Sequence, residues 1–114
     1  IMKLSSSRLY LLLPLLVAVP ATVVLAADAK TNWTKMCARC HSPDGSGKAP
    51  AGKKLGVKDY TTAEGQKFTD EEGLKAILEG TKNEAGKETM PAYKDKMSEE
   101  DAKALVAYVR SLKK

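Results

Sequence analysis

The sequence predicts an all-α domain of three main helices joined by long loops. Three observations predict it. No segment alternates apolar and polar residues in the manner of a half-buried strand. Two segments open with a capping residue and an acidic first turn, then continue with apolar residues at helical spacing. Lastly, Cys37-Ala38-Arg39-Cys40-His41 holds both cysteines and the only histidine of the 114 residues. At the end of a helix, positions i, i+3 and i+4 share one face.

The elements can be justified in order. Lys3 and Arg8 form a short basic start, and Leu9 to Ala27 is an uncharged run of 19 residues. Small residues follow in Val24-Leu25-Ala26-Ala27-Asp28-Ala29. This is the order of a secretory signal, residues 1–26, with a mature domain over 27–114. Cleavage after Ala26 or after Ala29 fits the small residues. A run of this length could instead span a bilayer uncleaved, although Pro14 and Pro20 lie inside it. Either way the domain is expected on the far side of a membrane, in the periplasm, with membrane attachment only if the leader stays. Such a compartment tolerates bonded cysteines. Without the leader, 88 residues remain, and 17 basic residues face 14 acidic ones. One Trp and one Phe make a thin core. Chains this small are often held together by a cofactor or metal.

Lys30 to Cys40 reads as the first helix, with Trp33 one turn before Cys37 and with Lys35 and Arg39 facing solvent. Cys-x-x-Cys-His at its end is the attachment pattern of c-type haem. Two thiols on one face can form thioethers with the two vinyl groups of a porphyrin, and His41 can then ligate the iron. A redox dithiol needs no adjacent His. A closed zinc site needs a second ligand pair, which no other Cys or His can supply.

Ser42 to Gly56, with four glycines and two prolines, reads as a loop wrapping a flat cofactor closely. Pro50 is a candidate to turn its carbonyl toward the His41 ring nitrogen. Leu55 and Val57 are candidate apolar contacts, and Tyr60 a candidate for the cofactor edge or an acidic substituent. Thr69-Asp70-Glu71-Glu72 is a capping box opening the second helix. Leu74, Ile77 and Leu78 give its apolar face, and Gly80 stops it. Thr81 to Met97 reads as a second long loop containing Met90-Pro91-Ala92-Tyr93. Ser98-Glu99-Glu100-Asp101 opens the last helix, whose stripe is Leu105, Tyr108, Val109 and Leu112.

Taken together, Cys37-x-x-Cys40-His41, Met90-Pro91-x-Tyr93 and Leu105-Val106-Ala107-Tyr108-Val109 resemble class I c-type cytochromes over essentially all of residues 30–114. The resemblance implies a cytochrome c-like fold wrapped around one covalent haem c. It implies thioether links to Cys37 and Cys40, His41 as proximal ligand and Met90 as distal ligand. It also implies crossed first and last helices, with Trp33 against Leu105 and Tyr108. Two positions depart from the family pattern: Ser42 and Ala29 stand where glycine is common. Met97, just before the last helix cap, is the competing methionine; Met90 sits in a loop extended by Pro91.

With both axial positions filled, no site stays open for oxygen, and a thioether ligand raises the potential. No acid–base pair or nucleophile is visible, so the expectation is an exported monomeric electron carrier rather than an enzyme. Its partners would be a protein donor and acceptor, with no nucleic acid. Lysines 48, 53, 54, 87, 94 and 96 lie in the two loops, a basic rim suited to an acidic docking surface. The alternative is a haem c subunit of a larger membrane-associated oxidoreductase.

Overall fold

The computed structural model describes Leu11, residues 13–19 and residues 26–114. The expected leader, residues 1–26, therefore lies mostly outside the described residues. Residues 13–19 have no regular secondary structure and are exposed. Among the described residues, no helix is long and apolar enough to cross a membrane.

The first helical run is longer than expected and changes register. Helix α1 spans Ala26–Asn32, a π-helical turn spans Trp33–Cys37, and α2 spans Ala38–His41. The Ala38 amide reaches back to the Trp33 carbonyl, five residues earlier, which is the π-type pairing. Trp33 and Cys37 are buried, whereas Lys35 and Arg39 face solvent as expected. Asp28 in the first turn of α1 suits the positive end of the helix dipole. The run ends at Ser42, the only non-glycine residue with positive φ among the described residues (φ 69°, ψ 154°).

The segment after it is not all loop. Helix α3 occupies Pro50–Leu55. Six residues are too few for a readable 3.6-residue period, but the boundaries are marked. Pro50 stands at the first helical position, and Gly56 closes the helix in the left-handed region (φ 68°, ψ 35°). The Ser42 hydroxyl accepts the Ala49 amide at 2.8 Å, just ahead of α3. Gly52 lets α3 lie directly on α2: a Cβ there would fall 1.9 Å from the Cys40 carbonyl oxygen.

Helix α4, Asp70–Glu79, opens with the expected capping box of Thr69 and Glu72, and Gly80 is its C-cap. The next segment corrects the all-loop expectation. Strands β1, Thr81–Lys82, and β2, Glu88–Met90, pair antiparallel with Thr81 opposite Met90 and an irregularity beside it. The strands are two and three residues long and largely exposed, so alternation had no length over which to show. Asn83 closes the turn, accepting the Lys87 amide through its side chain and the Gly86 amide through its carbonyl.

Helix α5, Glu99–Ser111, has the expected Ser98 cap, completed as a box by Asp101. It packs on both α1 and α4. Ala29 on α1 and Ala102 on α5 are both buried, and such small residues let helix backbones approach. The core joins Trp33, Cys37, Leu105 and Val109, with Met36, Tyr60, Phe68, Ile77, Met97 and Tyr108 packed on it. The expected pairing of Trp33 with the last helix is present, with the Trp33 and Tyr108 rings 5.7 Å apart.

Arg110 clasps the connection between α3 and α4 onto α5. Its guanidinium donates to the carbonyls of Gln66 at 2.7 Å and Phe68 at 2.5 Å, and to Asp70 at 3.0 Å. It also lies 4.0 Å from the Phe68 ring centroid. The Gln66 side-chain amide in turn donates to the carbonyls of Tyr60 and Val109.

Candidate functional site

Every described element except α1 reaches one cavity of about 590 Å³. That volume is in the range of sites that hold a cofactor-sized molecule, about 300–1,000 Å³. The end of the first helical run supplies Trp33, Met36, Cys37, Cys40 and His41. The end of α3 supplies Leu55, followed by Gly56, Val57 and Lys58. Tyr60 and Phe68 come from the clasped connection, Gly73, Ala76 and Ile77 from α4, and Leu105, Val106 and Val109 from α5. Thr89, Met90, Pro91 and Tyr93 close the remaining side. The wall is mostly apolar, with two thiols, an imidazole and two thioethers set into it.

Six of the seven residues expected from the sequence thus share one cavity: Cys37, Cys40, His41, Leu55, Tyr60 and Met90. Pro50 is the exception. It is exposed and does not line the cavity. As the first residue of α3 its carbonyl belongs to the helical ladder. The expected contact with the imidazole is therefore absent, and His41 Nδ1 is buried without a hydrogen-bond partner.

The imidazole is packed rather than solvated. Its ring stacks on Tyr60 at 5.4 Å and lies 5.7 Å from Trp33. Burial pushes its pKa below the ordinary histidine value. A neutral imidazole is the form that ligates a metal. The Trp33 indole donates to the carbonyls of Ser42 and Pro43, both at 3.2 Å, which fixes the turn that follows His41.

Cys37 and Cys40 form no disulfide with each other. Cys37 is pushed up to about 11, first by burial and second by its neighbour Cys40. A redox dithiol works through a thiol with a depressed pKa. Cys37 is shifted the other way, which counts against dithiol chemistry. Thiols bound as thioethers need no titration, and a buried apolar setting suits them.

The residues present fit a haem. The cavity is apolar and of suitable size. Two thiols stand at its edge in attachment spacing, and a buried, neutral imidazole with an unpartnered nitrogen stands beside them. Met90 sets a thioether sulfur into the wall, a soft donor of the kind suited to iron in an electron-transfer site. Met97 packs against the core and is not part of the cavity wall.

Some contributors were not legible as site residues. Phe68 and Lys58 carried no spacing signal. Tyr93 was recognised only as part of a motif; its hydroxyl donates to the Met36 carbonyl at 3.0 Å, across 57 residues. Its pKa is raised, first by burial and then by the nearby thiols. The loop lysines 48, 53, 54, 87, 94 and 96 are all exposed.

Comparison with known proteins agrees with this geometry. The sequence model described as cytochrome c matches residues 26–113. The chain is 39% identical over 79 residues to a cytochrome c oxidase subunit 2 of Alkalihalophilus pseudofirmus, covering 68% of this chain and 22% of that protein. It thus spans about a fifth of the length of that curated relative. Among solved structures it is similar to the KustC0563 c-type cytochrome, with 36% identity, a TM-score of 0.67, and coverage of 76% of this chain and 99% of that one. A point mutant of the same cytochrome gives 36% identity and a TM-score of 0.65, over 75% and 99% of the two chains.

Proposed function

The chain belongs to the cytochrome c family of haem electron-transfer proteins and carries covalently bound haem c, and from that premise we propose that it is an exported monohaem electron carrier with His/Met ligation. Cys37 and Cys40 hold the group by thioether links, His41 is the proximal ligand and Met90 the distal one. The observation that carries the reading is the shared cavity. Met36 and Met90 line the wall with His41 and Met97 does not; Met36 immediately precedes Cys37 on the attachment segment and cannot easily reach the opposite side of a group held there, which leaves Met90. Bound there, haem c supplies a one-electron Fe(II)/Fe(III) couple.

The chain's own residues do the rest. Trp33, Phe68, Ile77 and Leu105 line the cavity and would exclude water from the bound group, and a dry site raises the potential. The Arg110 clasp and the α2–α3 contact hold that wall rigid. With His41 and Met90 both holding the iron, no position would be left for a substrate. Export rests on the order of Lys3, the apolar run and the small residues before Asp28. Periplasmic location follows from it, and intact mass of the purified protein tests both attachment and leader removal. A mass carrying one haem after acid-acetone extraction, without residues 1–26, is expected. Haem lost to the solvent would refute covalent attachment, and a retained leader would favour a membrane-attached protein.

A second reading is favoured by the similarity to an oxidase subunit: a haem c unit docked in a larger oxidoreductase. Gel filtration of native material separates the two. A carrier elutes at its monomer mass, and a subunit elutes with its complex. Docking of a carrier would use the exposed loop lysines on an acidic partner, and its electron-transfer rate would fall steeply with salt.

A further inference from the structure

The segment that carries Met90 is tied down at two places beyond its own hairpin. On one side, the amides of Tyr93 and Lys94 donate to the carbonyls of Ile77 and Leu78 at 2.9 and 3.2 Å. These belong to the last turn of α4, where carbonyls lack partners inside the helix. On the other side, the Tyr93 hydroxyl reaches the Met36 carbonyl at 3.0 Å. Met36 lies in the π-helical turn, immediately before Cys37. Lys96 stands 5.5 Å from the Tyr93 ring centroid, on the solvent side of the half-buried phenol. One side chain, three residues after Met90, therefore joins the Met90 segment to the cysteine-bearing segment.

We infer that Tyr93 is the positioning residue of the Met90 side, its hydroxyl latching the Met90 segment to the Met36 carbonyl. The inference rests on the reading of Met90 as distal ligand. Among the described residues, the other hydrogen bonds given for residues 88–97 run within that segment, to β1 or to the end of α4. When the phenol releases the Met36 carbonyl, the segment is held only through the end of α4 and the short hairpin. The Met90 side chain would then be free to move away from the site without the domain unfolding. The latch sets the population of that open form, and so the stability of the iron–sulfur bond against competing ligands.

The test uses imidazole as the competing ligand on the ferric holoprotein. The readout is loss of the weak sulfur-to-iron band at the red edge of the spectrum. Apparent affinity for imidazole scales with the fraction of open form. Tyr93→Phe keeps the ring and removes one hydrogen bond, so affinity should rise about fivefold to tenfold. Thr34→Val is the control. It removes the Thr34 hydroxyl bond to the Lys30 carbonyl, 2.9 Å long and remote from the segment, and should leave the affinity unchanged.

An affinity for Tyr93→Phe within twofold of wild type overturns the latch, as does an equal rise in Thr34→Val. Absence of the band from wild type overturns the Met90 assignment, and the latch with it. If Tyr93→Phe does not take up haem, wild type decides by nuclear magnetic resonance. The latch requires a slowly exchanging Tyr93 hydroxyl proton, and rapid exchange with solvent refutes it.

Discussion

Ser42 makes the sharpest local prediction, because two small substitutions there should rank in reverse of the usual order. Ser42 follows His41 directly, is buried, and holds φ 69° and ψ 154°. That region is essentially glycine's, and another residue held there costs about 1–3 kcal/mol. Its carbonyl accepts the Trp33 indole and its hydroxyl accepts the Ala49 amide, so neighbours on both sides enforce the conformation. Ser42→Ala and Ser42→Gly both lose the hydroxyl bond, at about 1 kcal/mol. Alanine keeps the strain. Glycine removes it, against about 0.5–1 kcal/mol of extra backbone entropy. The glycine variant should therefore be more stable than the alanine variant by about 1–2 kcal/mol. For a domain of this size that is a difference in Tm on the order of 4–16 °C. Guanidinium unfolding of the holoproteins, followed by Trp33 fluorescence, measures it. An alanine variant as stable as the glycine variant would refute the strain and the role assigned to the turn after His41.

Three further outcomes are expected. Gly52→Ala should cost at least about 3 kcal/mol or abolish haem uptake, since the new methyl meets backbone, the Cys40 carbonyl, which cannot swing away; unfolding by denaturant checks it. Arg110→Lys should destabilise by about 1.5–3 kcal/mol, nearly as much as Arg110→Ala, because an ammonium cannot reproduce the forked contacts to Gln66, Phe68 and Asp70; comparing the two variants in the same assay checks it. The haem-free protein should lose about 2–3 kcal/mol between pH 9 and pH 11. The folded Cys37 thiol, at about 11 against an ordinary 9.0, stays protonated while the unfolded chain's thiol ionises. The holoprotein, with Cys37 bonded, should not show that loss, and parallel pH titrations of stability decide it.

Much of this was legible in the sequence, and the misses have physical causes. Helices α4 and α5 announced themselves because capping boxes and apolar stripes are local signals. The run before the cysteines was legible in its core residues but not in its start, which lies four residues before Lys30, nor in its π turn. Helix α3 was missed because six residues hold less than two turns, although Pro50 and Gly56 bracket it. The hairpin that ends at Met90 was missed because its strands are too short to alternate. The attachment motif and Met90 carry their chemistry in their side chains, so sequence alone could single them out as candidates, and the structure brings them to one cavity. Pro50 was assigned by its carbonyl, and a carbonyl's direction depends on the helix it turned out to open. The Tyr93 bond was invisible for the same reason: its partner is a backbone atom 57 residues away.

The central claim is that Met90 and His41 ligate a covalent haem in this cavity. The most direct measurement is the ferric absorption spectrum of wild type beside Met90→Ala and Met97→Ala. The account predicts the red-edge sulfur-to-iron band in wild type and in Met97→Ala, its loss in Met90→Ala, and a lowered potential in that variant alone. A band that survives Met90→Ala and disappears in Met97→Ala would contradict it.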